Sequence, residues 1–330
     1  MRAAVVGAGS WGTVVAGMLA RAGARTALVC RTEAQAEAIR ERGVNPGVLR
    51  DVRVPASVSA THLGDPGALR GAELVAMAVP SRATGEAVAW LAGRIPAGAA
   101  VLCLTKGLDP ASGRRLSEAY RDALGPEVPF AALSGPNHAE EIALGQPTAA
   151  VVAGDAALVA RIQGALAGPR FRLYPSTDLV GVELCAAAKN VIALAAGMSD
   201  GVGFGDNCKA TLITRGLAEM TRLGEAHGAR AATFRGLAGM GDLVATCTSR
   251  HSRNRAAGAL IARGTPADRV EGELGQVAEG IWTVRNLLGL AAAAGVELPI
   301  SAEVAAATHE GKPVLACLEA LMARAPAAEE

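Results

Sequence analysis

Lys189 stands in the stretch Glu183 to Asn207, ELCAAAKNVIALAAGMSDGVGFGDN, inside a helical pattern that is otherwise apolar. Counted by the helical period, its own face carries Cys185, Ala186, Ile192, Ala193 and Ala196. The other faces are apolar too, which predicts a helix enclosed on all sides. An ammonium in such a place either finds polar partners or has its pKa lowered by burial and loses the proton. That property suits a group that gives and takes a proton near neutral pH. The competing reading is a lysine that snorkels to water from a helix end. It leaves the adjacent Asn190 and the glycine-rich Gly197 to Gly205 segment, where backbone can approach closely, without a purpose.

Other residues pair type with spacing. Gly7-Ala8-Gly9-Ser10-Trp11-Gly12 follows the apolar run Ala3 to Val6 and precedes a helical pattern through Met18 to Ala20. Strand, glycine turn and helix in that order bring backbone N–H groups and a helix N-terminus to a pyrophosphate, with Gly7, Gly9 and Gly12 at the tight places. A second strand candidate, Thr26 to Cys30, ends at Arg31, where a ribose-reading residue is expected. A guanidinium there accepts a 2′-phosphate, so NADPH is expected to be usable as well as NADH. Lys106, in Thr105-Lys106-Gly107, follows the strand candidate Ala100 to Leu104 and lies beyond its carboxyl end, in reach of the nicotinamide or a substrate anion. His138, after the Phe130 to Leu133 strand candidate, invites a catalytic role, but a histidine after a turn is more often a packed group. Thr246 and the cluster Arg250, His251, Ser252, Arg253, Asn254, Arg255 follow the glycine-hinged run Gly236 to Asp242. Hydroxyl, guanidinium and amide so close together suit a phosphate, with a solvated helix face as the plain alternative.

The elements that must position these residues are legible as an α/β alternation. Strand candidates at Leu74 to Val79, Ala149 to Val152 and Phe171 to Tyr174, with helices around Arg114 to Leu124 and from Ala156, predict a parallel sheet domain over 1–178. Residues 44 to 60 read as a loop and a short strand without chemistry. From Asp178 helical patterns dominate, which predicts an all-helical domain over 179–330 that begins near the Lys189 helix. Asp206 or Asn207 is expected to cap its next helix, and Lys209 to be solvated.

Composition bounds the function. The chain has 330 residues, 51% of them apolar, forty glycines and 3% aromatics, so its cores must use small aliphatic side chains and tight turns. A net charge of +1 without a long basic run disfavours nucleic acid and anionic membranes. The apolar runs look short or interrupted and the N-terminus reads as a strand, so a soluble cytoplasmic protein is expected. Six cysteines, scattered singly, show neither disulfide nor metal-ligand spacing and read as small buried hydrophobes; no metal is expected.

Taken together, GAGSWGT, AVPS at Ala78, TKG at Thr105, SGP at Ser134, ELCAAAKNVIALAAG, GDNCKATLITRGLAEM, GLAGMGDLVATCTS and SRNR make the chain resemble the bacterial NAD(P)-dependent glycerol-3-phosphate dehydrogenases over nearly its whole length. The resemblance implies a Rossmann domain followed by a helical substrate domain, a homodimer, and interconversion of dihydroxyacetone phosphate and sn-glycerol 3-phosphate for glycerophospholipid synthesis. It places Ser10, Trp11, Arg31, Ala139, Val277 and Glu279 at NADPH or NADH, and Lys106 and Arg253 at both ligands. It makes Lys189 the proton-transferring residue, with Gly135, Asn137, Asp242, Ser252, Arg253 and Asn254 around the substrate; Asn190 and Thr246 are expected in the same pocket. Asn137-His138 departs from the family's serine or threonine followed by an aromatic, and Asn45 to Val54 lacks its tyrosine-leucine-proline run. The alternatives are a related lysine-dependent hydroxy-acid dehydrogenase and a protein that senses NAD(P)H without turnover.

Overall fold

The computed structural model describes residues 1–49 and 52–325; Arg50 and Asp51, within the loop expected over 44–60, lie outside the described residues. The chain separates into two compact units, Met1–Glu183 and Leu184–Glu330.

The first unit is built on an eight-stranded sheet of order β3-β2-β1-β4-β5-β6-β7-β8. Its strands are β1 (Arg2–Val6), β2 (Arg25–Cys30), β3 (Val58–His62), β4 (Leu74–Met77), β5 (Ala100–Cys103), β6 (Phe130–Ser134), β7 (Thr148–Gly154) and β8 (Phe171–Ser176). The helices are α1 (Ser10–Arg21), α2 (Glu33–Arg42), α3 (Thr84–Ala92), α4 (Leu116–Leu124), α5 (Ala139–Ala143) and α6 (Ala156–Leu166). β4 and β5 are buried at every residue, the continuous apolar pattern of strands covered on both faces. Val15 and Leu19 of α1, Ile39 of α2 and Leu158 and Ile162 of α6 close one face over Leu28, Leu102 and Leu133.

The strand pattern predicts a parallel sheet, and the observed sheet departs from that at one pair. β6 and β7 pair antiparallel, Ala131 opposite Gly154, and all other neighbours pair parallel. The β6–β7 connection holds only the five-residue α5. Such a helix spans about 7.5 Å, too short to carry the chain back to the other end of the strands, as a parallel neighbour would require.

Past β8 every described element is helical: α7 (Leu179–Gly201), α8 (Asp206–Ala226), α9 (Ala231–Arg235), a π-helical turn at Leu237–Gly241, α10 (Asp242–Thr248), α11 (Arg253–Ala262), α12 (Ala267–Leu274), α13 (Glu279–Ala293), α14 (Pro299–His309) and α15 (Val314–Met322). The division between the units falls within α7. Every residue from Gly181 to Ser199 is buried, as the apolar pattern predicts. α7 is long and apolar enough to cross a membrane by length and composition, but Glu183 and Lys189 interrupt its apolar run and its burial marks a core helix.

Backbone contact fixes α11 on α7. A Cβ at Gly197 would stand 1.9 Å from the Arg255 carbonyl oxygen, and one at Gly258 2.1 Å from that of Leu194. Only glycine allows the two helices to meet so closely, and the meeting brings the SRNR turn to the lysine helix. Neither Asp206 nor Asn207 caps α8. The cap residue is Gly205, without a side-chain bond, and Asp206 is already helical.

Candidate active site

In the first unit the glycine turn is held from three sides. A Cβ at Gly7, which has φ +105°, would stand 2.5 Å from the Ala78 carbonyl oxygen, and one at Gly12 1.9 Å from that of Gly7. These glycines are required by the fold's own contacts. Gly9 is different: a Cβ there would meet nothing within 4 Å, and the residue is exposed. Its glycine leaves open backbone at the N-terminus of α1, which begins at Ser10 and has no side-chain cap. That is a cradle fitted to a dinucleotide pyrophosphate. Trp11 packs on Phe171 at 6.4 Å, and its indole nitrogen is buried without a partner among the described residues. Arg31 is exposed just past the end of β2.

Asn45, in the region expected to be without chemistry, is fully buried and donates to the Ala8 carbonyl at 2.9 Å and the Thr13 hydroxyl at 2.9 Å. Gln35 donates to the same carbonyl at 3.0 Å. Together they pin the glycine turn, a role whose signal was a short amide beside Pro46-Gly47.

At the carboxyl end of β5, the Thr105 hydroxyl donates to the Val79 carbonyl at 2.7 Å, tying two strand ends together. Lys106 donates to the Asn137 side-chain oxygen at 2.6 Å and the Gly135 carbonyl at 3.0 Å. A lysine has only donors, so the atom facing it must be the amide oxygen. The Asn137 amide nitrogen consequently points away, buried and without a partner among the described residues. Gly135, at φ +147°, sits 2.8 Å by its would-be Cβ from Ala150. His138 is half-buried and precedes α5 without capping it; Ala139 begins that helix.

In the second unit Lys189 is 4% exposed. It meets its burial by finding partners, the Asp242 carboxylate at 2.7 Å and the Thr246 hydroxyl at 2.7 Å. Asp242 and Thr246 are one turn apart on α10, and the Thr246 hydroxyl donates in turn to the Asp242 carbonyl at 2.6 Å, leaving its lone pair for the ammonium. The π-helical turn before α10 explains the glycine-hinged run, since such bulges re-aim the residues that follow.

Asn190 and Asn254, both buried, are joined by a 2.9 Å bond from the Asn254 amide nitrogen to the Asn190 oxygen. The Asn254 oxygen accepts from the Gly280 backbone at 2.9 Å. This amide chain links α7, α11 and the start of α13, where Glu279 is the first residue and Val277 lies just before it. Ser252 caps α11 by accepting from the Arg255 backbone at 3.2 Å. Arg253, the first residue of α11, is exposed and has no hydrogen-bond or ion-pair partner among the described residues.

Lys209, expected to be solvated, is instead 17% exposed at its side chain and paired with Asp200 at 2.7 Å. The sequence pattern did not single out Asp200, nor two buried carboxylates that cap other helices. Glu183 accepts from the Ser117 backbone at 2.7 Å and from Arg115 at 3.2 Å. Glu219 accepts from the Ile300 backbone at 2.5 Å. Burial raises both above the usual carboxylate range. Of the six free cysteines five are buried, and burial pushes the Cys103 and Cys247 thiols up to about 12.

Residues 2–159 match the family model described as the NAD-dependent glycerol-3-phosphate dehydrogenase N-terminus, and residues 178–319 the corresponding C-terminus. A Parafrankia protein named as an NAD(P)+ glycerol-3-phosphate dehydrogenase is 50% identical over 99% of this chain and 98% of its own length. A Thermus thermophilus protein of the same name is 49% identical over the whole of both chains. The crystal structure of glycerol-3-phosphate dehydrogenase from Coxiella burnetii superposes with a TM-score of 0.93 at 36% identity, over 98% of this chain and 99% of that one. Both family models match in order, around the glycine turn and around the buried lysine alike, and the chain belongs to the NAD-dependent glycerol-3-phosphate dehydrogenase family.

Proposed function

We propose that the chain is an NAD(P)-dependent glycerol-3-phosphate dehydrogenase that reduces dihydroxyacetone phosphate to sn-glycerol 3-phosphate, and the reverse, with Lys189 moving the proton. The observation that carries this reading within the family is a buried ammonium held by a carboxylate and a hydroxyl, with a donor left for a substrate oxygen. The residues that would hold NADPH or NADH are the Gly7, Gly9 and Gly12 turn, Ser10, Trp11 and Arg31, with Lys106, Ala139, Arg253, Val277 and Glu279. When bound, the dinucleotide supplies the hydride that reduces the ketone carbon.

Lys189 gives a proton to the oxygen as negative charge develops on it, and takes it back in the oxidative direction. Asp242 holds the ammonium in place and Thr246 accepts one of its hydrogens, so little reorganisation is needed as charge moves. Arg253 offers an unpaired guanidinium at the N-terminus of α11, where cation and helix end both favour a phosphate. Lys106, Gly135, Asn137, Asn190, Ser252 and Asn254 complete the substrate set, with the buried Asn137 donor aimed at an acceptor oxygen. The supply of sn-glycerol 3-phosphate to lipid synthesis, a cytoplasmic location and a homodimer belong to the same reading. The free, mostly buried cysteines suit a reducing compartment, and sedimentation at working concentration checks the dimer.

The direct test follows NADPH and NADH absorbance with dihydroxyacetone phosphate and, in parallel, with small keto acids. Oxidation with the phosphate ester alone is expected. For the anchor, Arg253→Ala should lose most activity on dihydroxyacetone phosphate and change little of the much lower activity on unphosphorylated dihydroxyacetone. Equal losses on the two would mean that Arg253 does not hold the phosphate.

A further inference from the structure

Asp200, next to last in α7, uses both carboxylate oxygens on cations: Oδ1 meets Lys209 Nζ of α8 at 2.7 Å, and Oδ2 meets Arg255 Nε of α11 at 2.5 Å. The cluster is largely withdrawn from water, with side chains 17%, 17% and 29% exposed for Asp200, Lys209 and Arg255. Arg255 is thereby fixed from three directions. Its guanidinium is held by Asp200, its backbone N–H by the Ser252 hydroxyl at 3.2 Å, and its carbonyl lies against Gly197, one turn before Asp200 on α7.

We propose that Asp200 is a positioning residue for phosphate recognition, acting through Arg255 on the first turn of α11 and so on Arg253. This rests on the reading of Arg253 as the phosphate anchor. Two physical effects follow from the one carboxylate. It clamps the turn whose first residue is Arg253, so that guanidinium is presented from a fixed backbone. It also neutralises the cations at 209 and 255, which would otherwise offer an anion a second place to bind. Arg250 is engaged differently, its Nε lying 3.3 Å from the His251 ring. Arg253 is left as the cation of the turn that a phosphate can pair with.

The test compares Asp200→Asn and Arg253→Ala by kcat and KM on dihydroxyacetone phosphate and on unphosphorylated dihydroxyacetone. Asp200→Asn keeps the shape and loses the charge. It should raise KM for the phosphate ester about tenfold, the scale of one charge-assisted bond lost or misdirected, while kcat stays within about threefold and dihydroxyacetone is handled as by the parent. Inorganic phosphate should inhibit this variant more strongly than the parent, because two cations are released. Asp200→Glu, which keeps the charge, should recover part of the KM. Should Asp200→Asn fold poorly, Arg255→Gln leaves the Lys209 pair intact and should separate the two substrates in the same direction. Equal losses on both substrates, or parental values on both, overturn the proposal. If Arg253→Ala separates the substrates and Asp200→Asn does not, the positioning role alone falls. If Arg253→Ala fails to separate them, the anchor reading falls and takes this one with it.

Discussion

Lys106 of the first unit and Lys189 of the second are held in opposite ways. Lys106, half-buried at a strand end, is gripped by neutral oxygens, the Gly135 carbonyl and the Asn137 amide. Lys189, in mid-helix and nearly sealed, is gripped by a carboxylate and a hydroxyl. Dipoles of this kind orient an ammonium. A buried carboxylate neutralises the net charge of the pair and fixes the direction of the ammonium. On the proposed function, Lys106 binds and Lys189 transfers the proton.

The sharpest way to break that division is Lys189→Met. It should lower kcat by about 10²–10⁴-fold, the range for loss of an acid–base group, with NADPH affinity kept. Near-parental turnover in a folded variant would remove Lys189 from the chemistry. Lys106→Met should act mainly on KM for dihydroxyacetone phosphate, by about 10–100-fold, as loss of a hydrogen bond to a charged group implies. A loss confined to kcat would make the two lysines alike and end the comparison. Smaller again is Arg31→Asp, which should weaken NADPH about tenfold more than NADH, since it removes a cation and adds repulsion where a 2′-phosphate would sit. Dissociation constants for both cofactors decide it, and equal losses would show that Arg31 does not read that phosphate.

The smallest effect concerns two carboxylates used alike in the two units. Glu183 caps the start of α4 and Glu219 the start of α14, and burial, the leading cause, raises both pKa values above the ordinary 4.5. A raised folded value means stability that is full below the unfolded value and lost as pH rises through the folded one. Thermal melts of the parent should therefore decline across that window, and Glu219→Gln should flatten the profile. An unchanged profile would show that Glu219 does not contribute to it.

Much of this was legible from local pattern. The glycine turn, the apolar strands and the enclosed lysine helix are statements about neighbours in sequence, and the structure carries the α/β unit followed by helices that they predict. The misreadings share one cause. Lys209 and Asn45 look solvated or idle because their partners lie outside any local window: Asp200 is nine positions from Lys209, and Ala8 is thirty-seven from Asn45. The antiparallel β7 escaped because strand direction depends on where the connection can reach and leaves no mark on the strand's composition.

The sequence by itself determined that a cation would be buried in a core helix, because an apolar surround at helical spacing leaves it no path to water. It also pointed to close backbone at Gly7, Gly12 and Gly197, where a side chain would fill the room, whereas Gly258 took on that part only against Leu194. Tertiary structure alone decided which cations are free and which are spent. Arg253 and Arg255 stand two positions apart in a run that reads as one basic patch. Folding sets Asp200 against Arg255 and leaves Arg253 unpaired among the described residues. Charge pairing depends on a few ångströms of approach between separate helices, and that distance is settled only when α11 comes to rest on α7.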